Sequence, residues 1–260
     1  MTIIERLWSV SIRVSKNCSW MLFCYPLFFL VFMGKYHGFL VPFRFLRWHG
    51  GAQTLLMTSG TNKYFIKIDS DHARINNEVH WGTFLYDKNP LYFCRIVESF
   101  ELISRRIVMF EYFESRSFDS LDLGLVSDKC RLKLMDQLVQ ISDILFDNGV
   151  IHRDISPGNL LVRTAGDDLT LKLVDLAYAI PKDYSSRPDN GGANVEATLG
   201  QDWRPEDYVW DDSYAILEIA KSIGGDQVEG LSSYLEALES KVGRLRYSSI
   251  TFSDQKSAQC

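Results

Sequence analysis

GVIHRDISPGNLLV, residues 149–162, sets a His, an Arg, an Asp and an Asn within a few positions of one another, between a helical run and a strand. Upstream, Leu134, Leu138, Ile141 and Leu145 recur at three- and four-residue intervals, which marks one apolar helix face running from Ser127 to the stop signal Asn148-Gly149. Downstream, NLLVRTAGDDLTLKLVDLA carries two apolar runs around Thr164–Asp168, the pattern of a β-hairpin with a longer loop. A hairpin brings its open ends together, so Asn159, before the first strand, and Asp175, after the second, come side by side. An amide and a carboxylate so placed can share Mg²⁺, which keeps several waters and takes one or two protein oxygens beside substrate phosphates. Asp154 stands five residues before Asn159, near enough to accept a proton from a hydroxyl held at such a phosphate. That grouping points to phosphoryl transfer.

With 260 residues, nearly half of them hydrophobic, the chain can bury a core in one domain or two packed lobes. A formal charge of -5 carries none of the basic surplus that nucleic-acid binding leaves in a sequence, so no nucleic-acid partner is expected. The five cysteines are scattered, without zinc-site or disulfide-framework spacings, which fits a reducing compartment. Alternating runs from FRFLRW through QTLLMTSGTNKYFIKID, and again in LYFCRIVESFELISRRIVMFEYF, read as strands, with one helix beginning near Asp71 between them. DDSYAILEIAKSIGG and VEGLSSYLEALESKV read as two further helices.

His152-Arg153-Asp154 followed by Asn159 resembles the catalytic loop of the protein-kinase-like superfamily, and Val174-Asp175-Leu176-Ala177 resembles its Asp-Phe-Gly metal-binding motif. The resemblance runs from about Phe43 to Ile223. It implies an α+β, two-lobed protein-kinase-like fold, with a small β-rich N-lobe over residues 42–113 and a mainly helical, shortened C-lobe over 114–247. An apolar segment (1–41) precedes these lobes and a flexible tail (248–260) follows. It implies ATP and Mg²⁺ as cofactors, Asp154 and Asn159 as catalytic residues, and Asn159 and Asp175 as the metal ligands. KYFIKID makes Lys67 the contact to the ATP α- and β-phosphates and Glu78 its ion-pair partner. VMFEYF resembles the hinge behind the adenine, with Phe110 at the back and Glu111 to Phe113 offering backbone groups. Gly50 and Gly51 stand where the glycine-rich loop would cover the phosphates. His152 and Arg153 take structural roles, Glu206 in WRPED matches the Glu of the Ala-Pro-Glu element, and Asp212 braces the catalytic loop.

Several positions depart from the family pattern and keep the acceptor open. His49-Gly50-Gly51-Ala52 lacks three spaced glycines, Ser156 stands where protein Ser/Thr kinases carry a lysine, Ala177 replaces a glycine, and the C-lobe is short. The expected activity is an ATP-dependent kinase acting on a hydroxyl, protein Ser/Thr by family base rate. A sugar or lipid-linked glycan at a membrane face, or a pseudokinase that acts as a binding module, are the alternatives. Residues 17–34 hold no charge and at roughly 1.5 Å per residue would only just cross a ~30 Å hydrocarbon layer. An in-plane membrane contact through this run, with the enzyme cytoplasmic on the cytosolic face, is the expectation, since a span would export the basic residues Arg6, Arg13 and Lys16.

Overall fold

The computed structural model describes residues 25–42, 53–102, 104–165, 168–184, 195–224 and 230–249. Gly50, Gly51, the strand expected at 43–48 and the tail from 250 onward lie outside them. The chain divides into two compact units: the residues up to Ser70 with Val97–Tyr112 form the first, and Asp71–Ile96 with the residues from Phe113 onward form the second.

The first unit is a helix on an antiparallel sheet. Helix α1 (Tyr25–Tyr36) precedes β1 (Phe39–Pro42), β2 (Gln53–Ser59), β3 (Asn62–Asp69), β4 (Ile96–Leu102) and β5 (Arg105–Glu111), in the sheet order β1-β2-β3-β5-β4. Gly60, at φ 59, allows the two-residue turn that pairs Ser59 with Asn62. Strand alternation sends Ile66 and Ile68 into a core with Leu55, Met57, Ile107 and Met109, and Phe32 of α1 closes that core from one side. Each such fully buried side chain contributes about 1.5–3 kcal/mol. Lys67 falls between Ile66 and Ile68 and so projects to the opposite face, with Thr54 and Val108 as its cross-strand neighbours.

Helix α1 is tied to this sheet by more than its apolar face. Phe32 stacks on Tyr36 at 5.4 Å between ring centroids, Lys35 Nζ reaches Glu98 Oε1 at 2.5 Å, and the Tyr36 hydroxyl bonds the other oxygen of Glu98. At 12 residues the helix is about 18 Å long. Among the described residues no helix is long and apolar enough to cross a membrane.

The second unit is mainly helical. It holds α2 (His72–Lys88), α3 (Asp128–Asp147), α4 (Asp212–Ile223) and α5 (Leu231–Glu239). Asp71 caps α2 through the Arg74 amide and Ser127 caps α3 through the Cys130 amide, each side chain taking one of the orphan N–H groups of a first turn. The apolar stripe of α3 is fully buried at Leu134, Leu138, Ile141 and Leu145 and packs in one core with Ile216, Ile219 and Ile223 of α4 and Leu238 of α5. Short ladders complete the unit: β6 (Arg116–Ser117) on β8 (Leu160–Ala165) and β9 (Asp168–Leu173), β7 (Val150–Ile151) on β10 (Ile180–Pro181), and β11 (Val209–Asp211) on β12 (Arg246–Ser248). Gly149, at φ 62, makes the turn from α3 into β7 and so delivers the chain to His152.

Candidate active site

The 149–162 loop is assembled on a buried carboxylate. Asp212 sits in the first turn of α4, is 2% exposed, and accepts the backbone N–H groups of His152 at 2.5 Å and Arg153 at 3.1 Å. The carboxylate so supplies an acceptor to two successive backbone N–H groups where Arg153 turns the chain at φ 67. Burial outweighs the two hydrogen bonds and pushes the Asp212 carboxyl up to about 7. Its neighbour Asp211 caps α4 through the amides of Ser213 and Tyr214 and also accepts from Gly243 N–H, and burial raises its pKa above the ordinary carboxylate value.

His152 is fully buried and its protonation pattern follows from its partners. Val174 O, 3.1 Å from Nε2, can only accept, so Nε2 carries the hydrogen. Nδ1 then keeps the lone pair that the Asp154 amide N–H needs at 3.2 Å. Both ring nitrogens serve the loop, which leaves the imidazole positioning the backbone around Asp154 and Val174.

Asp154 is half-buried, with both carboxylate oxygens in use. Oδ1 accepts the Gly200 amide at 3.0 Å and Oδ2 accepts Asn159 Nδ2 at 3.1 Å, and the same nitrogen lies 2.7 Å from the Asp154 carbonyl. A carboxylate held by two donors in this way is fixed in orientation, and a carboxylate is the group that can take a proton from a hydroxyl. With Nδ2 engaged, Asn159 has its amide oxygen left to offer as a ligand. The hairpin register pairs Leu160 with Leu173, and Val174 N–H donates to Asn159 O at 3.0 Å. Asp175 therefore follows directly on the residue opposite Asn159, where the chain leaves β9 in the left-handed region at φ 67 and ψ 61. Two hard oxygen donors at one end of a hairpin fit Mg²⁺, whose other positions go to water and phosphate.

The segment after Asp175 is clamped to α2. Asn77 Nδ2 donates to the carbonyls of Ala177 at 3.0 Å and Ala179 at 2.8 Å, and Arg74 Nη1 reaches the Tyr178 hydroxyl at 3.0 Å. Glu78, the next residue on that helix, is 4% exposed. Lys67 stands in the other unit. Glu111 ends β5 opposite Tyr64, Phe110 is buried, Tyr112 N–H is spent on Lys63 O at 3.1 Å, and Phe113 O accepts the Ser115 hydroxyl at 2.9 Å. Two backbone groups of the expected hinge are thus already engaged. The Phe113 ring lies under Arg163, 4.8 Å from its centroid.

Arg153 is buried and its guanidinium is surrounded. Nε donates to Tyr178 O at 2.8 Å, Nη1 lies 3.9 Å from Glu196 Oε1, and the rings of Trp210 and Tyr247 stand 5.6 and 5.7 Å away. Glu206 is exposed; it meets Arg246 at 3.5 Å and its carbonyl accepts the Val209 N–H. Sequence reasoning did not pick out Glu196, Gly200 or Asn77. At Gly200 a φ of 61, with a Cβ that would stand 3.0 Å from Arg153 O, explains the residue type. A buried glutamate looks like any other in the sequence.

No family model matches the chain. Among curated proteins it is 39% identical over 56 residues to the serine/threonine-protein kinase ATG1c of Arabidopsis thaliana, which is 22% of this chain and 8% of that protein. It is 27% identical over 123 residues to MAP kinase-activated protein kinase 2 of Drosophila melanogaster, 44% of this chain and 33% of the relative. The matched stretch is therefore a third or less of either relative. Among solved structures, the kinase PK-1 of Cydia pomonella Granulovirus aligns with a TM-score of 0.52 at 16% identity, over 71% of this chain and 67% of that one. This likeness shows a two-lobed kinase fold, with a β-sheet lobe and a helical lobe.

Proposed function

We propose that this chain, protein-kinase-like in fold and in its sequence relatives, is an ATP-dependent phosphotransferase that moves the γ-phosphate to a hydroxyl. The observation that carries the reading is the Asp154 carboxylate, oriented by Gly200 N–H and Asn159 Nδ2 on the loop that also carries Asn159, the residue type and place a general base for a hydroxyl needs. Asn159 and Asp175 are the residues that would hold Mg²⁺, which when bound offsets phosphate charge. Lys67 is assigned to the nucleotide phosphates, Glu78 to holding its ammonium, Glu111 and Phe113 to the base, and Gly50 and Gly51 to covering the phosphates. His152, Arg153, Asp212 and Glu206 support the loop and the segment that follows it. Protein Ser/Thr is the acceptor class that the curated relatives favour. Asp154→Ala is expected to lower transfer from labelled ATP by about 10²–10⁴-fold, as loss of a general base does. Transfer at the wild-type rate in that variant would remove the assignment.

One observation favours a lipid-linked acceptor instead. Helix α1 seals Phe32 against its sheet yet leaves Leu30 62% and Met33 41% exposed, an apolar outer face on a run that carries no charge before Lys35. A short helix docked this way would lie in a membrane surface. Alkaline carbonate is then expected to strip the protein from membranes, and retention in the pellet would contradict an in-plane contact.

A further inference from the structure

We propose that Glu196 is a positioning residue for the catalytic loop, the chain's own fixed anion for Arg153, so that the loop is set without a phosphate added to the segment between Asp175 and Glu206. The inference rests on the phosphotransferase reading. Kinase activation segments are commonly ordered by phosphorylation, through new pairs between an arginine and the phosphate. Here the arginine is spoken for. The guanidinium cannot discharge, and its side chain is 1% exposed, so no face of it is open to a phosphate arriving from solvent. The carboxylate facing it at 3.9 Å, Glu196, is itself 3% exposed, and the Tyr178 carbonyl and the rings of Trp210 and Tyr247 are also among its neighbours. Asp212 serves the Arg153 backbone amide instead. A buried cation of this kind needs a buried anion.

The consequence reaches Asp154 along a short path. Arg204 Nη1 and Nη2 hold the carbonyls of Glu196 and Ala197, and Trp210 Nε1 holds the carbonyl of Leu199 at 2.8 Å. The next residue is Gly200, whose amide orients the Asp154 carboxylate. The Glu196 side chain thus holds Arg153, one residue before Asp154, and its backbone belongs to the tethered stretch that leads to the donor of Asp154.

The test uses the full chain, with and without phosphatase treatment and with its phosphorylation state read by intact mass. The acceptor is a degenerate Ser/Thr peptide mixture with labelled ATP and Mg²⁺. The two forms are expected to transfer at rates within about twofold, while Glu196→Gln lowers kcat by about tenfold or more with the KM for ATP within about threefold. Amide exchange at 152–154 and 199–201 is expected to accelerate about tenfold or more in Glu196→Gln, with exchange in α5 unchanged. Glu196→Asp, which keeps the charge with a shorter reach, should fall between the two and replaces the first variant if that one does not fold. A rate that rises about tenfold on phosphorylation and is lost to phosphatase overturns the proposal, as does wild-type exchange at both stretches in the variants. A chain that transfers no phosphate to peptide, lipid-linked glycan or water in any form sinks the phosphotransferase reading alone, and the exchange measurement then decides the role of Glu196.

Discussion

The loop from His152 to Asn159 and the segment from Val195 to Tyr208 converge on Arg153 and Asp154, yet they are built differently. In the loop, residues with recognisable spacing bond to one another within a few positions, as His152, Asp154 and Asn159 do, and a distant carboxylate, Asp212, takes two of its backbone amides. In the segment, the glutamate that matches a family motif, Glu206, is solvent-exposed, while Glu196, which matches none, is buried against Arg153. The difference is one of range. Local hydrogen bonds are encoded in spacing, whereas the partner of a buried charge is set by which elements the fold stacks.

The sharpest way to break this contrast is Asp212→Ala. Two buried backbone N–H groups would lose their acceptor at once, each at a cost of about 1–3 kcal/mol. Thermal melting should fall by several degrees and transfer should be lost with it. An unchanged melting temperature would mean that the loop holds itself.

A smaller effect follows from the same carboxyl. Its folded pKa is about 7 against an ordinary 3.8, so between those values the folded chain binds a proton that the unfolded chain does not. Linkage then makes this group's contribution to stability full below about pH 4, declining as pH rises to about 7 and flat above. Asp212→Asn removes the titration, and the difference in melting temperature between variant and wild type should change with pH over that window. A constant difference would show that the carboxyl titrates normally.

The smallest effect belongs to the other region. Glu206→Gln breaks an exposed pair with Arg246 and should cost no more than about 1 kcal/mol, with a correspondingly small loss of transfer, well below that of the Asp212 and Glu196 variants. A large loss there would erase the distinction between the two glutamates.

Much of the architecture was legible before any coordinates. The period of Leu134, Leu138, Ile141 and Leu145 marked α3, Asn148-Gly149 marked its end, and two apolar runs marked the β8–β9 hairpin, whose ladder runs on to Ala165 and Asp168 where a longer loop was expected. The helix expected near Asp71 forms with Asp71 as its cap. The joining of Asn159 to Asp154 was implied by closeness in sequence, but the Gly200 donor that completes the carboxylate's surroundings comes from 46 residues away. Asn77 is equally silent in sequence: an asparagine on an exposed-looking turn of a helix becomes the donor to three carbonyls only once that helix packs on residues 176–179.

The sequence by itself determined the elements and the chemical identity of the loop, because hydrophobic period, turn residues and a handful of spaced polar side chains act over distances that the chain spans in one or two turns. Tertiary structure alone decided which carboxylate faces Arg153, how far burial raises the Asp212 carboxyl, and which tautomer His152 adopts. Those outcomes depend on desolvation, and a side chain is desolvated by whatever the rest of the fold brings over it.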